Sequence, residues 1–141
     1  MKKLILIFSI FMLSGCLTNK DFSTKCSYNT LTAHLSNDII YEIIYDADDV
    51  VKEAIITKKY KALDDEGNSI VDSIKNGIDD FNKKYSDSGI KYLTQDDDGF
   101  IITYDIPVTS LSDDLLNEFK LNKNSVKLFN SFKKEKIECE D

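Results

Sequence analysis

The chain has no arginine and no tryptophan, one proline, one histidine, and five glycines scattered singly through 141 residues. Each shortage removes a class of chemistry. Without arginine there is no planar fork of donors for bidentate recognition of phosphate or carboxylate. Without clustered glycines there is no loop of backbone N–H groups to cradle a phosphate. One imidazole, His34, and three cysteines give no ligand spacing for a zinc site. A Ser-His-Asp or thiol mechanism would need His34 as its base, within hydrogen-bond reach of the nucleophile. No Gly-x-Ser-x-Gly elbow is present to offer a serine. His34 falls on the polar side of an expected strand and reads as a surface side chain.

Positive charge is outweighed as well. Eighteen lysines face 25 carboxylates, for a formal net charge of −7. Such a chain is repelled by nucleic acid and by anionic headgroups, so nucleic-acid partners are not expected. The abundance of Lys, Asn, Ile and Asp is that of an AT-rich genome, such as a low-GC Gram-positive bacterium. Hydrophobic residues make up 42% and charged residues 30%, the balance of a folded protein. The length suits one domain.

Long apolar runs are missing except at the start. Lys2 and Lys3 precede Leu4 to Leu13, interrupted only by Ser9. This stretch is too short to cross a bilayer core of about 30 Å as a helix, but suits the apolar region of a signal peptide. Leu13-Ser14-Gly15-Cys16 follows, small residues ahead of a cysteine. It resembles the bacterial lipobox, which implies a diacylglycerol on the Cys16 thiol and cleavage just before it. Two acyl chains hold a protein stably on a membrane where one does not. The expected division is a signal peptide over 1–15, lipidated Cys16 with a tether over 16–25, and one domain over 26–141. Losing residues 1–15 removes Lys2 and Lys3 and takes the formal charge to −9. The expected place is the outer face of the cytoplasmic membrane, with the bilayer as first partner.

Within the domain, Leu31, Ala33 and Leu35 alternate with Thr30, Thr32 and His34, the period of a half-buried strand over 26–35. Ser36-Asn37-Asp38 has turn chemistry. Strands are expected over 39–45 and 50–60, separated by Asp46-Ala47-Asp48-Asp49. The period then lengthens: Ile70, Ile74, Ile78, Phe81 and Tyr85 form one apolar stripe of a helix. Asn68 or Ser69 can cap it, and Lys83 and Lys84 suit the negative end of its dipole. Gly77 inside it suggests close packing on a sheet. Two more strands, 90–95 and 100–106, flank the Asp98-Gly99 hairpin signal, and Pro107 closes the second. Ser112 can cap a short helix carrying Leu115, Leu116 and Phe119. Asn124 or Ser125 can cap a last one with Val126, Phe129 and Phe132. The order βββ-α-ββ-αα predicts an α+β domain. Its antiparallel five-stranded sheet would carry the long helix on one face.

Tyr45-Asp46-Ala47-Asp48-Asp49-Val50-Val51-Lys52 ahead of a helix, and Gly89-Ile90-Lys91-Tyr92 leading to an acidic hairpin and Tyr104-Asp105, resemble the YehR-like family of small bacterial lipoproteins over about residues 26–135. The resemblance implies this address and this fold. It implies no activity and no functional residues.

Three features remain as candidate chemistry. With Cys16 taken by lipid, Cys26 and Cys139 are an even pair outside the cytoplasm and can form a disulfide. Aligning Gly99 with the glycine of a calcium loop places Asp96 and Asp98 at ligand positions, with Thr94 and Asp105 at the first and last. The last two are mismatches, and acidic hairpins are commonly just solvated, so no metal centre and no cofactor besides the lipid is expected. Tyr28, Tyr41, Tyr45, Tyr60, Tyr92 and Tyr104 lie on strands. Some should face away from the helix, with Tyr41, Tyr45, Tyr92 and Tyr104 as a candidate face for a protein, peptide or glycan. The alternative is core packing with cross-strand pairs. The expected role is a non-enzymatic interaction module. A small carboxylate-based hydrolase and an acidic cation-binding lipoprotein are the alternatives.

Overall fold

The structure, a computed structural model, describes residues 20–140. Cys16, the expected signal peptide and residues 17–19 of the expected tether lie outside the described residues.

Three long strands come first: β1 (Phe22–Leu31), β2 (Leu35–Tyr45) and β3 (Val51–Ala62). A 20-residue helix, α1 (Asp65–Lys84), leads to the hairpin of β4 (Lys91–Asp96) and β5 (Phe100–Pro107). Two short helices, α2 (Asp113–Glu118) and α3 (Ser125–Lys134), precede a two-residue strand, β6 (Glu138–Cys139). The strands form one antiparallel sheet in the order β4-β5-β3-β2-β1-β6. The architecture is α+β, with an open sheet of six strands rather than five. β6 has no strand pattern of its own. It exists because Cys139 and Glu138 pair with Cys26 and Ser27 of β1.

Register places the side chains. Cys26, Tyr41, Ile56, Tyr104 and Tyr92 are successive partners from β1 to β4, and therefore share one face. That face holds the core. Phe132 of α3 packs on Tyr41, with ring centroids 4.7 Å apart. Phe81 of α1 and Phe119, just after α2, both pack on Tyr104. Ile43, Val51, Ala54, Ile56, Ile102, Ile106 and Leu128 complete it, each almost wholly buried. Burying a side chain of this size contributes about 1.5–3 kcal/mol.

Local chemistry moves several expected boundaries. β1 begins at Phe22, so residues 22–25 of the expected tether are strand. The turn after β1 is Thr32-Ala33-His34, not Ser36-Asn37-Asp38, which lie in β2. The Thr32 hydroxyl closes it, donating to the Leu35 carbonyl and accepting from the Leu35 N–H. The break reverses the inward side of β1: Cys26 is buried and Leu31 is 71% exposed. α1 is capped by Asp64, not by Asn68 or Ser69; its carboxylate accepts from the Gly67 N–H at 2.8 Å. Val71 is buried and Ile70 exposed, while Ile74, Ile78 and Phe81 face the core as expected. The close approach to the sheet is at Gly67, where a Cβ would sit 2.0 Å from the His34 carbonyl oxygen. Gly77 has open space around it. In α3, Leu128 takes the buried place expected of Val126, which is exposed. Ser112 and Asn124 cap α2 and α3 as expected.

Candidate functional site

The calcium-loop residues do not converge. Asp96 sits 2.7 Å from Lys75 of α1. Asp98 is 2.9 Å from Lys61 and 3.9 Å from Lys59, both on β3. The neighbouring lysines hold the Asp98 carboxyl below its ordinary range, chiefly through the Lys61 hydrogen bond. Asp105 pairs with Lys91 at the far end of the hairpin, while Asp96 pairs with Phe100 at the turn. Among the described residues no three His, Cys, Asp or Glu side chains are grouped to hold a metal ion. A calcium loop directs its oxygens inward around one point; an antiparallel hairpin spreads them along its length.

The expected tyrosine face divides. Tyr41 and Tyr104 are in the core, at 4% and 5% exposure. Burial pushes both phenols up to about 12, so they stay neutral. Tyr45 is half-buried between Phe22 and Phe129. Tyr92 alone of the four is exposed. Core packing accounts for Tyr41 and Tyr104, because the helices cover the side of the sheet to which they point.

His34 lies in the β1–β2 turn, not on a strand face. Its Nδ1 is 2.6 Å from Asp64, and its Nε2 is 3.4 Å from Glu66. Both ring nitrogens thus face carboxylates at the start of α1, and neither is directed at a nucleophile. Cys26 and Cys139 are joined by a disulfide across the β1–β6 rung.

What periodicity did not single out is the opposite face of the sheet. Ser27, Ile40, Thr57, Thr103 and Leu93 are successive partners there. The Thr57 and Thr103 hydroxyls are 3.3 Å apart. Ile40 and Leu93 are 46% and 59% exposed. The neighbouring rung is Lys25, Glu42, Ile55, Asp105 and Lys91, mostly charged. None of these residues joins the buried core cluster. Glu53 on the same face has its carboxyl pushed up by burial, by a hydrogen bond with Asp105, and by the charges of Asp105 and Glu42. Beside the edge, a groove of about 310 Å³ runs between the end of α1 and β4. Phe81, Asn82, Tyr85, Ile90 and Tyr92 line it.

The fold and surface define a class: an α+β domain whose sheet, among the described residues, is covered by helices on one face and ends in β4 as an edge strand. No family model matches the chain. Neither the curated proteins nor the solved structures contain a match to it.

Proposed function

We propose that this chain is a lipoprotein, held on the outer face of the cytoplasmic membrane by diacylglycerol on Cys16, whose domain is a non-enzymatic interaction module. The observation that carries the reading is the uncovered side of the sheet, where Ile40, Thr57, Thr103 and Leu93 stand in one row without helical cover. A transient interface is about as apolar as the rest of a protein surface, and a mostly polar face with apolar positions is compatible with one. The resemblance to YehR-like lipoproteins supports the address and supplies no activity.

Cys16→Ala tests the anchor: the full precursor should remain uncleaved and unlipidated, and normal processing overturns it. A photo-crosslinking residue placed at Ile40 or Thr103 in the lipidated protein tests the module. Discrete adducts in intact membranes are expected, and unreactive protein at both positions counts against it. The hydrolase alternative would use Glu53, a half-buried carboxylate hydrogen-bonded with Asp105. Turnover of an envelope glycan lost in Glu53→Gln would favour it. Calcium titration of the same protein, silent at millimolar metal, would dispose of the cation-binding alternative.

A further inference from the structure

The two long sides of this sheet end differently, and the free one has the features of a pairing surface. Among the described residues β4 pairs with β5 alone, and all six of its residues are exposed. Its pairing with β5 runs without a register shift, from Lys91 opposite Asp105 to Asp96 opposite Phe100. Natural edge strands are usually blunted by proline, a bulge or an inward charge. β4, Lys-Tyr-Leu-Thr-Gln-Asp, contains neither proline nor bulge; its one inward charge, Asp96, is at the hairpin end and paired with Lys75 of α1, and a large apolar side chain projects from each side of the remainder: Leu93 at 59% and Tyr92 at 45% exposure. Alternate residues of such an edge direct an unpaired N–H and C=O outward.

We propose that β4 pairs antiparallel with β4 of a second copy of this chain, joining two six-stranded sheets into one. This deepens, and rests on, the reading of the domain as an interaction module. The strand is complementary to itself. A two-fold antiparallel pairing keeps both sheets facing the same way only when its axis passes through a residue. Centred on Leu93, it sets Leu93 against Leu93 of the copy, Tyr92 against Thr94 and Lys91 against Gln95. Centred on Thr94, it sets Leu93 against Gln95, Tyr92 against Asp96 and Lys91 against Asp97, an opposite-charge pair made twice. Neither register opposes like charges, and cross-strand pairs of this kind stabilise a ladder. Each also covers Tyr92, which continues the apolar groove of Phe81, Tyr85 and Ile90. The formal charge of −9 expected on each processed chain opposes association, so pairing should strengthen as salt screens it.

The test uses the full lipidated chain in membranes, with Leu93→Cys for the register centred on Leu93 or Thr94→Cys for the register centred on Thr94, and mild oxidation. A covalent homodimer should form readily, rise with ionic strength, and exceed that of Ile40→Cys, which lies on the sheet away from the edge. Proline at Thr94 or at Gln95 in the Leu93→Cys background separates folding from pairing. One of two adjacent N–H groups points outward, so one of these variants keeps the β4–β5 ladder. That variant should retain the parent circular dichroism while losing about nine-tenths or more of the dimer, a tenfold weakening of association. Equal cross-linking at Ile40→Cys, or a dimer that survives in the folded proline variant, overturns the proposal. Capture of both β4 cysteine variants only by a different protein also overturns self-pairing, but leaves the interaction module standing. No adduct at β4 or on the open face removes both readings.

Discussion

One rung of the sheet runs through every strand: Cys139, Cys26, Tyr41, Ile56, Tyr104 and Tyr92. Its two ends solve the edge problem in opposite ways. At the β6 end the rung is closed by a covalent bond, and Cys26 is 1% exposed beneath it. At the β4 end it finishes in Tyr92, 45% exposed beside an unpaired backbone. The intervening side chains are almost wholly buried, so the difference does not arise from the core. It arises from what the chain supplies beyond each edge. On one side α3 and β6 return across the sheet, with Phe132 on Tyr41. On the other, α1 reaches Tyr104 through Phe81 and goes no further over the sheet than the groove beside β4. A closed side and an open side should differ in stability and in exchange with solvent.

Opening the closed side gives the largest expected effect. Cys139→Ser replaces the exposed half of the disulfide and leaves Cys26 as a small buried hydrophobe, so it isolates the crosslink. The two cysteines are 113 residues apart. In the chain-entropy model, releasing a loop of that length costs roughly 4–5 kcal/mol. Urea unfolding should show the free energy of unfolding fall by this amount, with reductant reproducing the loss in the parent protein. Amide exchange in β1 should accelerate more than in β5. A parent protein indifferent to reductant would remove the covalent half of the comparison.

The next effect contrasts the two ends directly. Phe132 is fully buried against Tyr41, and Phe132→Ala should cost about 3–5 kcal/mol in the same unfolding measurement. Tyr92→Ala, on the same rung system but at the open edge, should cost about 1 kcal/mol or less, as for a surface substitution. Similar losses for the two would mean that β4 is covered in solution, as pairing with a second copy would make it. The contrast should therefore shrink at high protein concentration and reappear on dilution.

A smaller effect tests whether the open side is nevertheless built with care. Gly99 has φ of +130°, and a Cβ there would lie 2.7 Å from the Tyr60 carbonyl oxygen. That conformation is open to glycine and strained for alanine. Gly99→Ala should cost about 1–3 kcal/mol, with the exchange increase confined to β4 and β5. If the loss instead spread equally to β1, the two edges would belong to one cooperative unit.

Much of this comparison was legible in the residues, and the missing parts have identifiable causes. The five longer strands, the long helix and the caps at Ser112 and Asn124 follow from local periodicity and side-chain hydrogen bonding. β6 does not, because two residues carry no period and are a strand only through their partner. The phase of β1 was misplaced because Leu31, Ala33 and Leu35 alternate across a turn; the Thr32 hydroxyl, not hydrophobicity, decides there. The stripe of α1 holds at Ile74, Ile78 and Phe81 and departs only in its first turns, where the Asp64 cap and the Gly67 approach to the sheet place Val71 rather than Ile70 inward. The acids of the hairpin were visible, but their partners were not. Lys59, Lys61 and Lys75 reach Asp96 and Asp98 from β3 and α1, an arrangement only the tertiary fold creates. The tyrosines were placed on strands, yet which face the helices would cover could not be read from alternation alone.

The smallest expected effect concerns the tie between the β1–β2 turn and α1, which holds the two sides of the sheet in one frame. His34 bonds Asp64 at 2.6 Å, and Asp64 also caps α1 through the Gly67 N–H. The imidazole is held above its ordinary 6.5 chiefly by the Asp64 hydrogen bond; burial opposes this, and the charges of Asp64 and Glu66 add to it. The Asp64 carboxyl is held below its ordinary 3.8, first by the Gly67 N–H and then by His34. The signs fix the pH window. The histidine contribution is fully present below 6.5 and disappears as pH rises through the higher folded value. The aspartate contribution is present above 3.8 and disappears as pH falls through the lower folded value. The stability difference between the parent and His34→Ala should therefore be greatest in the weakly acidic range and fade on both sides. Nuclear magnetic resonance of the single imidazole gives the direct reading. Its midpoint should lie above about 6.5 in the parent and return toward that value in Asp64→Asn. Asparagine still caps a helix, so this variant removes the charge and keeps α1. An unshifted parent midpoint, or one unchanged in Asp64→Asn, would leave Gly67 packing on the His34 carbonyl as the joint between turn and helix.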